Sequence, residues 1–207
     1  LKGARVLGCT KHFPGLGEAS LDTHQELPTV RKPWSRMWAE DLLPYRKLVR
    51  ESPFVMVAHA NYTAVCDSVP ASLSKKWISG VLREKLKYRG LVVCDDLEMG
   101  GVLAAAPPAK AAVRHIRAGG DLCLVCHQEA FVRSAFEGLH TAAAKDRRFQ
   151  TLAQQRVRRV LAYKARSAAV AGRYPKPSST KIAQLSRALW EFAEQVRYSS
   201  EQPEEEA

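Results

Sequence analysis

The stretch LVVCDDLEMGG, residues 91–101, runs four apolar residues straight into two adjacent carboxylates and closes on a glycine pair. A continuous rather than alternating apolar run marks a strand covered on both faces, the environment of a parallel sheet. The figure recurs in ARVLGCT (4–10), FVMVAH (54–59) and DLCLVCH (121–127). Polar residues stand at the C-terminal end of each run: Lys11 and His12, His59 and Asn61, Asp95 and Asp96, and His127. Between the runs, AEDLLPYRKLVR, SLSKKWISGVLREKLKY, PPAKAAVRHIRAGG and HQEAFVRSAFEGLHTAAAK place apolar residues at helical spacing. Ser72 or Ser74 can cap the helix around Trp77, Pro107 and Pro108 open the next, and Gly119-Gly120 closes it. Strand–helix alternation predicts an α/β class with parallel strands, and polar strand ends sharing one rim mark where a (β/α) barrel does its chemistry.

Composition narrows the class further. A chain of 207 residues with 46% hydrophobic and 8% aromatic content is long enough for one domain with a sizeable core. The richest apolar stretch, FVMVAHANYTAV, is interrupted by His59 and Asn61, so no membrane span is expected. Five cysteines, an odd number without framework spacing, suit reduced thiols in a cytoplasm better than a disulfide scaffold. The net charge of +11 raises the question of a polyanionic partner. The densest basic runs, REKLKYR (83–89) and RRFQTLAQQRVRR (147–159), read as solvated helix faces without interleaved stacking aromatics, so no nucleic acid is expected. The barrel-type domain is expected over 1–168, a linker over 169–180, and an amphipathic helix with an acidic tail over 181–207. That helix sets Ile182, Leu185, Leu189, Phe192 and Val196 on one face. The chain opens on Leu1 rather than Met, so a preceding segment is expected.

Two stretches carry chemistry. In KHFPGLGEASLDTH (11–24), Gly15 and Gly17 allow a tight loop, Pro14 stiffens its start, and Asp22 stands where it can hold and polarise the His24 imidazole. In the 91–101 stretch one of two neighbouring carboxylates leaves its strand toward the cleft and the other is turned away; capping of a following helix is the competing reading of such an Asp. An Asp–His pair near a separate Asp suits displacement chemistry, in which the lone carboxylate attacks and the imidazole passes a proton to the leaving oxygen.

Taken together, KHFPGLGEASLDTHQELP, DLLPYRKLV, VMVAH, PASLSKKWISGVLREKLKYRGLVVCDDLEMGG and AGGDLCLVC, in that order over about residues 3–130, resemble the NagZ-type β-N-acetylhexosaminidases of glycoside hydrolase family 3. The resemblance implies a (β/α)8 TIM-barrel type fold, of which this chain supplies units like the last four, plus a C-terminal helical extension. It implies a retaining hydrolase that releases terminal β-N-acetylglucosamine through a covalent glycosyl-enzyme intermediate, in bacteria from muropeptides during peptidoglycan recycling. By motif position Asp95 matches the nucleophile and Asp22 with His24 the acid/base dyad. Lys11 and His12 match residues that hold sugar hydroxyls; His59 matches a position along the cleft or simply ends its strand, and Met99 matches a wall of the active site or fills the core. Thr23, Cys94 and Leu16 depart from the family's usual Ser, Ser or Thr, and His, without removing a reacting group. The family's earlier strands carry an Asp and an Arg that grip the sugar. The chain is therefore expected to be a fragment with little activity alone, able to pair with the missing barrel half or with itself.

No cofactor and no metal are expected. Cys123-x-x-Cys126 has zinc-knuckle spacing but reads as small hydrophobes of the last strand. His115 and His140 fall on helical patterns as surface or packing residues, and His127 is a further cleft candidate. Two other functions stay open: an N-acetylglucosaminide phosphorylase, because a histidine acid/base does not repel phosphate as a carboxylate does, and a non-catalytic fragment that binds a polyanion or serves assembly.

Overall fold

The computed structural model describes residues 6–17, 27–63, 65, 69–172 and 175–201. Among them six strands follow in chain order: β1 (Cys9–Phe13), β2 (Thr29–Val30), β3 (Phe54–Val57), β4 (Asn61–Tyr62), β5 (Leu91–Asp96) and β6 (Leu122–Leu124). β1, β3, β5 and β6 form one parallel sheet in that order, and β2 pairs with β4 in a separate two-stranded ribbon. Spatial order that follows chain order, with no reversal, is the winding of a barrel rather than of a doubly wound sheet. β5 is the most deeply covered strand, with Leu91 to Cys94 all buried, as its unbroken apolar run requires.

The first strand lies later than its apolar run suggests, over Cys9–Phe13 rather than 4–10. Phe13 supplies the anchor. Its fully buried ring meets Tyr45 and Trp77 edge-on at centroid distances of 5.1 and 5.9 Å. Cys9 pairs with Phe54 and Thr10 with Val55, but Phe13 with Val57, so the register slips between Thr10 and Phe13. Lys11 and His12 thus belong to the strand itself, and a slip of this kind re-aims the side chains within it.

Helices follow the strands: α1 (Trp34–Ala39), α2 (Leu43–Leu48), a wide helix of π-type winding over Lys76–Lys85, α3 (Gly100–Ala105), α4 (Pro108–Ala118), α5 (Glu129–Lys145), α6 (Arg147–Arg166), α7 (Ala168–Ala171) and α8 (Ser179–Glu201). The single helix expected over 39–50 is broken. Pro44 has no N–H to continue a helix from α1, yet suits the first turn of α2. The wide helix buries Trp77, Ile78, Val81 and Leu82, and Ser74 Oγ accepts from Trp77 N at 3.4 Å near its start. Around Trp77 gather Phe13, Tyr62 and Val57, while a second cluster joins Leu73, Cys94, Leu97, Met99 and Val102. Gly119, at φ +115°, closes α4 in the left-handed region, where an added Cβ would stand 2.7 Å from Ser79 Oγ.

The chain divides into two compact units, Leu1–Ala171 and Gly172–Ala207. In the second, α8 presents Ile182, Leu185, Leu189, Phe192 and Val196 as exposed side chains. Among the described residues no helix is long and apolar enough to cross a membrane.

Candidate active site

The rim at the C-terminal strand ends is built outward from β5. Its buried run delivers Asp95 and Asp96 at the last two positions of the strand, and local hydrogen bonds send the two carboxylates different ways. Asp95 Oδ1 accepts the Asp96 N–H at 3.0 Å, while its Oδ2 lies 3.6 Å from His12 Nε2 of β1. Side-chain exposure is 16% for Asp95 and 28% for His12, enough for a ligand to reach both. Asp96 Oδ1 accepts the Glu98 N–H at 3.1 Å, and its Oδ2 faces His127 Nδ1 at 3.5 Å. The first carboxylate therefore faces β1 and the second faces the segment after β6.

His59 underpins this strand end from inside. It has no exposed surface; Nε2 lies 3.0 Å from the Asp96 carbonyl and Nδ1 2.6 Å from Ser72 Oγ. A carbonyl cannot donate, so Nε2 carries the proton and Nδ1 accepts from the Ser72 hydroxyl. Burial holds the imidazole neutral, lowering its pKa to about 4 against the upward pull of the Asp95 charge and of the backbone at Asp96. His115, also fully buried and also lowered by burial, donates from Nδ1 to the Ser72 carbonyl at 2.7 Å. A chain of polar contacts thus runs His115, Ser72, His59, Asp96 carbonyl, and fixes the backbone beside Asp95.

For two of the candidate residues the structure takes the packing alternative: His59 and Met99 both lie in the interior. Both His59 ring nitrogens are engaged by protein, and Met99, 7% exposed, fills the second core cluster just ahead of α3. Lys11 is exposed on β1, while Asp22 and His24 lie outside the described residues. Sequence reasoning did not single out the pins that hold the start of their loop. Tyr62 OH donates to the Gly15 carbonyl at 2.8 Å, and Gly15, at φ +133°, rests on Asp41 so closely that an added Cβ would meet Asp41 Cβ at 2.8 Å. Buried Lys32 holds Asp41 in turn at 2.8 Å. No local pattern marks these three, because each acts on a distant segment.

The thiols of Cys94 and Cys123 are hydrogen-bonded neighbours, and burial pushes Cys94 well up, so Cys94 behaves as a protonated packing group. Among the described residues one group, Asp96, Glu98 and His127, gathers potential metal-ligand atoms. A cavity of about 910 Å³ opens at the other end of the strands, lined by Val6 to Thr10, Pro53, Tyr88, Gly90 and Tyr163. It is remote from Asp95, on the side of a barrel where stability rather than chemistry resides.

The glycosyl hydrolase family 3 N-terminal domain matches residues 1–163. A β-hexosaminidase of Bordetella parapertussis is 38% identical over 148 residues, covering 70% of this chain and 42% of that protein. Among solved structures, a family 3 β-N-acetylglucosaminidase from Paenibacillus sp. superposes with a TM-score of 0.81 at 36% identity, over 86% of this chain and 34% of its own. The β-N-acetylglucosaminidase from Thermotoga maritima does so with a TM-score of 0.70 at 34% identity, over 80% and 37%. The chain spans about two-fifths of the length of the curated relatives it matches. With its four parallel strands laid on part of a TIM barrel and the family domain matched over residues 1–163, the chain belongs to glycoside hydrolase family 3.

Proposed function

We propose that this chain carries the nucleophile-bearing part of a retaining β-N-acetylhexosaminidase. The observation that carries the reading is the meeting of Asp95 and His12, from strands separated in the sheet by β3, at the rim. Asp95 Oδ1 is tied to a backbone N–H, which leaves Oδ2 as the attacking oxygen. Oδ2 forms a bond to the anomeric carbon as the glycosidic bond breaks, and His24 delivers its proton to the departing oxygen. A water then attacks the same carbon and gives its proton to His24, the bond to Oδ2 breaks, and the sugar leaves with its β configuration restored. Asp22 orients the His24 ring, and His12 with Lys11 receives the sugar's hydroxyls. The substrate is a glycan ending in β-N-acetylglucosamine, such as a muropeptide met in a bacterial cytoplasm during peptidoglycan recycling. Barrel strands additional to these four complete the sugar's grip.

The test uses the full-length gene product. A chromogenic N-acetylglucosaminide should release free sugar at a rate independent of phosphate, and a fluorinated N-acetylglucosaminide should leave a mass label on Asp95. Label on another carboxylate, or a sugar-1-phosphate product, would overturn the assignment.

A further inference from the structure

Beside the nucleophile's strand end the second carboxylate has a company of its own. Asp96 Oδ2, Glu98 Oε2 and His127 Nδ1 converge, with one ligand atom from each lying within 4.8 Å of the others. His127 Nδ1 is 2.8 Å from Glu98 Oε2 and 3.5 Å from Asp96 Oδ2. Nitrogen and oxygen donors about 2.1 Å from one ion stand about 3.0 Å apart at right angles and about 3.4 Å apart in a tetrahedron. The two separations from His127 Nδ1 bracket that range. We propose that Asp96, Glu98 and His127 bind one zinc-class divalent ion on the rim next to Asp95.

The donors are held in advance. Glu98, 6% exposed, accepts the N–H groups of His127 and Gln128 at 3.1 and 2.6 Å, which fixes its carboxylate without using every lone pair of Oε2. Asp96 spends Oδ1 on the Glu98 N–H and keeps Oδ2 for the cluster. The His127 ring is 77% exposed, so an ion enters from solvent without opening the core. One nitrogen with two carboxylates suits Zn²⁺, Co²⁺ or Ni²⁺ rather than the all-oxygen preference of Mg²⁺ or Ca²⁺. The Cys126 thiol, hydrogen-bonded to Asp96 and exposed, stands by as a softer donor. Binding uses the Nδ1 lone pair of the neutral ring, whose proton then sits on the solvent-facing Nε2, and moves Glu98 and His127 apart by a few tenths of an ångström.

The experiment is calorimetric titration of the chelator-treated, dialysed chain with ZnCl₂, repeated with CoCl₂ while visible absorption is recorded. It needs no turnover, so it stands or falls apart from the glycosidase reading. One saturable site per chain is expected. His127→Ala, at a solvent-facing ring, and Glu98→Gln, which keeps an oxygen for the two N–H groups, should each weaken it at least about tenfold with unchanged melting. Asp95→Asn and His24→Ala should leave it intact, which separates the site from the acid/base loop. No saturable binding at micromolar Zn²⁺, or equal binding by His127→Ala, would overturn the proposal.

Discussion

Two aspartates at opposite ends of the same sheet show what separates a structural strut from a reagent. Asp121, just ahead of β6, has no exposed side-chain surface and spends both oxygens. Oδ2 takes Arg83 at 2.5 Å and the Val92 N–H at 2.9 Å, and Oδ1 takes Arg159 at 3.0 Å and Arg156 at 3.5 Å. Asp95, at the far end of β5, keeps one oxygen on a backbone N–H and leaves the other facing a half-buried imidazole and solvent. The first carboxylate is saturated by its own protein and ties β5, β6, α6 and the wide helix together. The second turns one oxygen toward His12 and solvent at an accessible rim. A barrel keeps stability at one end and reactivity at the other, and the number of partners per carboxylate is how this chain does so.

Four substitutions or conditions test that contrast. The sharpest is Asp95→Asn in the full-length gene product. Glycoside hydrolysis should fall by about 10⁴-fold or more, the scale on which loss of a covalent nucleophile acts, while the unfolding free energy from urea titration stays within about 0.5 kcal/mol of wild type. A comparable loss of stability would erase the distinction between the two ends. Asp121→Asn should do the reverse and cost about 3–5 kcal/mol in urea unfolding, because three guanidinium groups lose their counter-charge. Arg83→Met combined with that change should recover part of the loss.

Acid should act through the polar chain beneath Asp95. His59 is lowered to about 4 in the fold against about 6.5 when unfolded, so the unfolded chain binds more protons between those values. Its contribution is present above pH 6.5 or so and is lost as pH falls toward 4, by up to about 3 kcal/mol, and His115 acts in the same direction. Stability measured across that window should decline with acid, and His59→Gln should flatten the decline; an unchanged slope in the variant would remove His59 from its supporting role. The smallest effect belongs to neither end. In Gly138→Ala the new Cβ would stand 2.5 Å from the Ala109 carbonyl oxygen, where α5 crosses α4. That change should cost about 1–3 kcal/mol of thermal stability and leave labelling of Asp95 untouched.

Much of this was legible from residue order. The β5 run, its double carboxylate and the α4 and α5 patterns fall where periodicity puts them, because covered strands demand apolar residues and helices repeat every 3.6. β1 was misplaced because Phe13, three residues past the apolar run, finds its cover in Tyr45 and Trp77, which local pattern does not reveal. α3 and the β2–β4 ribbon are too short for periodicity to register. The arginines on Asp121 come from two separate helices, and nothing near any of them announces the pairing.

By itself the sequence determined the α/β alternation, the parallel strands and the crowding of polar residues at one set of strand ends, since each follows from interactions between near neighbours along the chain. Only the tertiary structure decided which histidine does what. His12 faces Asp95 across the sheet, His59 and His115 are sealed around Ser72, and His127 stands in solvent against Glu98. An imidazole's charge and availability depend on its burial and on partners that folding brings from far along the chain, and no stretch of residues contains that information until the strands are side by side.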